Sequence, residues 1–447
     1  MGNIIQGFDG SGRPTFIDGF RHRRLLNWFP LGLAYAFLYM GRYSYIPAKS
    51  YMLELIDNAD LGLVGLVGAW TYGISFLLNG PLTERLGGRF AMLMATAGSA
   101  VVNVCIAAVL GFGWTDHFLL TYAVLTGMNM YFQSFAAIAI VKVNSAWFHV
   151  RERGTFGGIF GIMISSGLFL AYTVSPVVTR GLFGSQAYYY FLMPGVLLGV
   201  MFLVTLLFIR NSPQDAGLGE FDTGSSDEFD GSEKVAVLSV FKRLLTHRVV
   251  LTIALIEFCT GVLRNGLMYW YPIWAREHSL VAGLADWQGV GLFAAGVFGG
   301  LSAGILSDRV FGSRRGPVAG LLYGVMIVML VVQLLGMRYM GASPALAYLV
   351  FGVLVGGSFC VIGTHGVLSG TATADFGGKG ATAMAVGIID GFVYLGVGVQ
   401  SMALGYLTER DWSYWPMFLL PFAVIGLILA LRIWKALPTR GKAAAGH

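Results

Sequence analysis

Charged side chains are scarce in this chain. Asp, Glu, Lys and Arg make up 12% of its 447 residues, against about a quarter in soluble globular domains. So few ions cannot cover a water-exposed surface of this size, which excludes an aqueous enzyme and a disordered chain. Cysteine is nearly absent as well. Cys105, Cys259 and Cys360 sit in apolar runs without metal-ligand spacing, so they read as small buried hydrophobes, and a disulfide scaffold drops out. The chain also lacks a phosphate-cradling glycine loop, a Ser/His/Asp set recognisable by spacing and a hydrophilic stretch of enzyme size. No catalytic residue, metal or cofactor is expected, and an ATP-driven pump is excluded.

What the chain has instead is apolar length. It is 56% hydrophobic with 63 glycines and a mean hydropathy of +0.70. A membrane-spanning helix needs about 20 mainly apolar residues, and such runs occur near 25–46, 61–82, 90–111, 117–141, 155–178 and 187–209, then at 249–271, 287–307, 317–336, 345–367, 381–405 and 413–433. Twelve spans in a six-plus-six arrangement make this an all-α membrane protein. The short alternating segments of a β-barrel are missing. Arg21-His22-Arg23-Arg24 before the first run resembles a secretion signal, but the run is too long and no small-residue cleavage site follows, so it reads as an uncleaved first span.

Basic residues set the expected orientation. The two terminal segments and the loops on their side hold 21 Lys and Arg, the opposite loops only five, Lys49, Arg180, Arg276, Arg338 and Arg410. Cationic loops stay cytoplasmic, so both termini are expected in the cytoplasm. The net charge of +6 is then a topology signal, not a nucleic-acid surface. The stretch 211–234, rich in Gly, Ser, Asp and Glu, reads as a solvated linker. The expected organisation is a cytoplasmic segment 1–24, a six-helix bundle 25–209, a linker 210–248, a second bundle 249–433 and a tail 434–447.

A short pattern is written twice. Gly80-Pro-Leu-Thr-Glu84-Arg85-Leu-Gly-Gly-Arg89 follows the second span, and Gly304-Ile-Leu-Ser-Asp308-Arg309-Val-Phe-Gly312-Ser-Arg314-Arg315 follows the eighth, 224 residues later. Glycine permits the tight turn, and the acid can cap a helix or pair with a neighbouring arginine. Two copies at matching places indicate an internal duplication. This loop and the 6+6 layout resemble the major facilitator superfamily. The resemblance implies two pseudo-symmetric bundles, a central cavity near the membrane midplane and rocking between inward-open and outward-open states.

Five ionisable residues fall inside spans: Arg42, Lys142, Glu257, Arg264 and Asp390. An Arg or Lys at a helix centre costs about 2.5–3.5 kcal/mol even on a lenient insertion scale. Arg42 and Arg264 lie 222 residues apart, so the duplication puts one arginine at equivalent depth in the first helix of each half. Two guanidinium forks facing one cavity would hold a dianion such as a phosphate monoester. The alternative is a structural ion pair. Glu257 is seven residues before Arg264 on the same face, whereas Arg42 has no acid within two turns.

Arg42 with its preceding tyrosines, Leu263-Arg264, the segment Trp147-Phe148-His149-Val150-Arg151-Glu152-Arg153-Gly154 and the run from Gly377 to Gly396 resemble the organophosphate:phosphate antiporter family, which includes glycerol-3-phosphate and hexose-phosphate transporters. The resemblance implies that Arg42 and Arg264 bind the substrate phosphate and that Tyr35, Tyr39, Tyr72 and Tyr394 line the cavity. Lys142 falls where glycerol-3-phosphate members carry an arginine, and His365 matches a histidine in span ten. Two departures stand out: Phe76 replaces a lysine and Ile164 a histidine. Both remove polar contacts, which favours a bulkier sugar phosphate or another organic anion over glycerol 3-phosphate.

Several residues keep alternative readings. Lys142 can snorkel to the interface. Asp390, on one face with Tyr394, can accept sugar hydroxyls, pair with Lys142 or Arg264, carry a proton or serve packing. His365 reads as a satisfied core histidine or a pH-sensitive group. The expected function is exchange of an organic phosphate for inorganic phosphate by a monomer in a bacterial inner membrane, its partners being those two anions and the lipid bilayer. Proton-coupled organic-anion symport and transporter-like sensing of sugar phosphates are the alternatives.

Overall fold

The computed structural model describes residues 6–8, 14–16, 19–49, 52, 55–148, 162–184, 186–221, 246, 248–312, 314–372 and 382–435. Residues 222–245 of the expected linker, His149–Gly154, Gly377 and the tail beyond 435 lie outside them, as do the side chains of Glu84 and Asp308.

The described residues form twelve long helices: α1 Phe20–Tyr43, α2 Asn58–Leu86, α3 Gly88–Gly111, α4 Phe118–Trp147, α5 Ile162–Phe183, α6 Tyr189–Phe208, α7 Arg248–His278, α8 Gln288–Ile305, α9 Arg315–Tyr339, α10 Pro344–His365, α11 Thr382–Arg410 and α12 Tyr414–Arg432. A two-stranded ribbon, β1 Gln6–Phe8 with β2 Pro14–Phe16, precedes them. Eleven of the twelve are long and apolar enough to cross a bilayer; α1 is the one left out. Its polarity has a cause, since it carries Arg21, Arg23, Arg24 and Arg42 together with four tyrosine and asparagine side chains.

The duplication expected from sequence appears in the packing. Within the first half α1 lies on α4 and α6, α2 on α4, and α3 on α4 and α6; in the second half α7 lies on α10 and α12, α8 on α10, and α9 on α10 and α12. Each pairing recurs six helices later. The doubled loop pattern likewise ends in left-handed glycines, Gly87 at φ 88° and Gly312 at φ 59°, a conformation that penalises any Cβ.

Burial separates central from outer helices. About two thirds of α7 and α11 is buried (67% of each span window), but only 33% of α6 and α12. The outward faces carry Val101, Leu120, Leu182, Leu207 and Val328, while Asn103, Gln133, Gln288, Gln333 and Gln400 are fully enclosed. Apolar outside and amide inside is the arrangement lipid imposes, because an amide turned toward lipid has nothing to bond.

The halves meet along α2 with α11 and α5 with α8. A Cβ at Gly62 would stand 2.5 Å from the Ser401 carbonyl oxygen and 3.0 Å from the Cα of Gly405, so the α2–α11 approach there requires glycine. At the end opposite the chain termini, polar contacts join the halves. Arg180 Nη2 lies 2.7 Å from Asp286 Oδ2, Thr173 Oγ1 donates to the Asp286 carbonyl at 2.8 Å, and Arg276 Nη1 donates to the Pro47 carbonyl at 3.1 Å. The Ala59 amide donates to Glu409 at 3.0 Å. Lys49 hydrogen-bonds Asn58 and lies 3.8 Å from Glu277. Burial pulls the Lys49 ammonium below the ordinary lysine range, opposed by Glu277, Asp57 and Glu409. Three of the five basic residues that depart from the terminal-side bias therefore tie the two halves together.

Candidate functional site

α1 presents Tyr35, Tyr39 and Tyr43 at four-residue spacing, which stacks them on one face. Tyr35 meets Tyr39 edge-on at 5.2 Å between centroids, and Tyr39 meets Tyr43 at 5.9 Å. Arg42 projects beside this ladder and is 5% exposed. Its guanidinium carbon lies 4.8 Å from the Tyr39 ring centre, 4.5 Å from Tyr72 and 5.8 Å from Tyr394. Three ring faces supply the negative potential a desolvated cation needs.

Two hydrogen bonds fix the fork. Nε donates to Gln133 Oε1 at 2.8 Å and Nη1 to the Tyr394 hydroxyl at 2.6 Å. Gln133 is itself oriented by donating to Asn129 Oδ1 at 3.2 Å, which also accepts from Asn103 at 3.4 Å. Nη2 of Arg42 is buried without a hydrogen-bond partner, and no carboxylate among the described residues lies within ion-pair reach of Arg42. One face of the fork is thus held and the other is open to an acceptor.

Arg264 reaches the same aromatic group from the other half, its guanidinium carbon 5.9 Å from the Tyr394 ring centre. The two guanidinium carbons are therefore within about 12 Å of each other. Arg264 makes no hydrogen bond or ion pair among the described residues, because Glu257 is engaged elsewhere: its Oε2 accepts from His365 Nδ1 at 2.7 Å. The structural pairing of Arg264 with Glu257, one of the two readings from sequence, is not made.

The remaining expected residues divide. Tyr72 and Tyr394 are in contact, 4.2 Å between centroids across the α2–α11 boundary. Tyr35 sits one turn before Tyr39, within electrostatic reach of Arg42. Asp390 accepts from Ser369 Oγ at 2.6 Å and makes no ion pair among the described residues. Lys142 is half-buried nine residues beyond Gln133 on α4, about 14 Å along the helix. Phe76 lies 5.8 Å from Tyr72 between ring centroids, tilted against it. Ile164 packs against the core from α5.

Beside the fork is a small, partly open cavity lined by Arg42, Tyr43, Tyr45, Asn129, Asn265 and Tyr394 among others. Sequence reasoning passed over Gln133, Asn129, Asn103 and Asn265. The available signal was amides in apolar runs, two of them four apart on α4, since a buried amide in a membrane helix needs a partner.

A profile of the Major Facilitator Superfamily matches residues 31–365. The chain belongs to the Major Facilitator Superfamily of membrane transporters. Among its relatives, the "Glycerol-3-phosphate transporter" of Bacillus subtilis is 24% identical over 93% of each chain. The "Hexose-6-phosphate:phosphate antiporter" of Escherichia coli is 26% identical over 84% of this chain and 81% of that one. The "Membrane sensor protein UhpC" of Escherichia coli is 26% identical over 92% and 90%. A bacterial homologue of the human lysosomal transporter Spinster, solved inward-facing and unoccupied, superposes with a TM-score of 0.70 over 94% of this chain and 98% of that one at 15% identity, a likeness of fold.

Proposed function

We propose that this transporter exchanges an organic phosphate ester of the sugar-phosphate or glycerol-phosphate class for inorganic phosphate by alternating access, with Arg42 and Arg264 gripping the phosphate. The observation that carries the reading is the pair of guanidiniums, one from each half, on the same tyrosine, with Nη2 of Arg42 unbonded and neither arginine ion-paired to an acid among the described residues. The names of the glycerol-3-phosphate and hexose-phosphate carriers among its relatives agree with it. Tyr39, Tyr72 and Tyr394 position the fork and exclude water; Asp390 is available to the organic part of the substrate, while Tyr35, Lys142 and His365 have roles at its margin.

Exchange rather than one-way flow follows from the charges. At no more than about 12 Å and an effective dielectric near 20, two guanidiniums repel by at least about 1.4 kcal/mol. Closing the site empty retains that repulsion and strips water from both cations. A bridging dianion removes it and supplies charge-assisted hydrogen bonds, so the loaded carrier crosses more readily than the empty one. We place the protein as a monomer in a bacterial inner membrane, with both termini in the cytoplasm and the six-helix bundles spanning 25–209 and 249–433.

The test is counterflow into proteoliposomes loaded with inorganic phosphate, with labelled glycerol 3-phosphate, hexose phosphates and phosphoenolpyruvate outside. Uptake that requires internal phosphate is expected. Uptake driven by a pH step without internal phosphate would replace exchange by proton symport, and ligand binding without flux would make the protein a sensor.

A further inference from the structure

Glu257 is the most enclosed acid in the described molecule, fully buried on α7. Its Oε2 takes one hydrogen bond, from His365 at the end of α10, and its Oε1 has no partner. Arg264 is two turns further along the same helix and electrostatically coupled to this carboxylate. A separation of seven residues puts Arg264 and Glu257 on the same face of α7. A buried carboxylate with a spare oxygen beside a guanidinium without an ion pair would ordinarily join it, because an uncompensated buried charge is costly. The histidine is what occupies the acid instead.

We propose that His365 is a positioning residue that sequesters Glu257, so that Arg264 stays free for the substrate phosphate. The inference rests on the exchange reading above and deepens it, because it names what keeps the second arginine competent. Without the histidine, Glu257 turns to Arg264 and competes with the incoming anion as an internal carboxylate. The titratable groups facing the pair are Cys259 and Arg264 on α7, Tyr323 from α9 and Asp390 from α11. Of these only Arg264 carries a permanent positive charge, so it is the partner a released Glu257 would take.

Phosphate–phosphate exchange by the reconstituted full chain tests this, read as KM and Vmax. His365→Ala is expected to raise the KM for inorganic phosphate about tenfold, equivalent to about 1.4 kcal/mol, with a smaller change in Vmax. Adding Glu257→Gln to that variant should bring KM back to within about threefold of wild type. His365→Asn, which keeps an amide near the place of Nδ1, should stay close to wild type.

An unchanged KM in His365→Ala, or no recovery in the double variant, overturns the proposal. Glu257→Gln alone keeps its shape and its bond to His365 and serves if the alanine variant does not assemble. Its KM should be equal to or below wild type, and a tenfold rise would show that the acid supports the site instead. If wild-type protein shows neither phosphate exchange nor a phosphate-induced thermal shift, the exchange reading itself fails.

Discussion

Gln133→Glu isolates the charge state of the fork from its shape. Gln133 is fully buried, and its Oε1 lies 2.8 Å from Arg42 Nε; glutamate is nearly isosteric and keeps that bond. With charge centres about 4 Å apart and an effective dielectric near 20, the new carboxylate attracts Arg42 by about 4 kcal/mol. Much of this is offset by desolvating the carboxylate, so folding stability should change little. Anion binding has no such compensation, because phosphate now meets a neutralised fork and a like charge beside it. If half of the attraction is expressed as lost affinity, phosphate Kd rises about thirtyfold. Calorimetric titration with inorganic phosphate and counterflow give the two readouts. The loss should diminish as pH falls, since the protonated glutamate approximates glutamine, when compared with wild type at each pH to cancel the titration of phosphate. A Gln133→Glu protein that binds phosphate as tightly as wild type at pH 8 would refute the assignment of Arg42 as an anion ligand.

Further expectations concern the other arginine, the halves' boundary and the amide chain. Arg264→Lys and Arg42→Lys should each lower exchange at least about a hundredfold, because a point charge cannot replace a planar fork; normal counterflow in either would count against the site. Gly62→Val places branched carbons against the Ser401 carbonyl, at an overpacking cost of about 1–3 kcal/mol, so phosphate binding should persist while exchange falls. Cysteine accessibility in α2 and α11 would report whether the end opposite the termini stays open. Arg180→Ala removes a partly exposed ion pair with Asp286, worth at most about 1 kcal/mol, so exchange rates should move less than about fivefold. Asn129→Leu should weaken phosphate binding through Gln133 by about 1 kcal/mol, read as a KM rise with a preserved melting temperature.

The membrane fold and its doubling were legible because lipid enforces them residue by residue: a span must be apolar, and a repeated loop must keep its glycine turn. Arg42 and Arg264 were legible for the converse reason, as charges a span does not tolerate idly. The bounds of α7 were harder to read. Arg276, Glu277 and His278 form its last turn at the water-facing end, and the hydropathy of the preceding run gives no sign that the helix continues. Gln133 was hidden because an amide carries no charge, so nothing in the sequence marked it as needing a counter-ion. The partner of Glu257 was hidden for a different reason. Spacing along one helix offers Arg264, but His365 is 108 residues away in sequence, and only the packing of α10 on α7 brings it near.

The contacts that join the halves differ in kind at the two levels where they occur, and the difference bears on how a carrier turns. At the end opposite the termini they are several, polar and partly exposed, such as Arg180 with Asp286 and Lys49 with Glu277. Each is worth at most about 1 kcal/mol, and water can replace its partners when the halves separate. Deeper in, the ties found among the described residues are enclosed: the Tyr269 hydroxyl on α7 donates to the Leu61 carbonyl on α2 at 3.3 Å, and at the centre Arg42 on α1 donates a charge-assisted hydrogen bond to the Tyr394 hydroxyl on α11. An entering phosphate oxygen can take that last donor, so the central tie is one the substrate is chemically fitted to exchange. Turnover then needs no large barrier change at the solvent-facing contacts. It needs only that the dianion bind more tightly in the occluded state than in either open state, by the few kcal/mol that shift such an equilibrium.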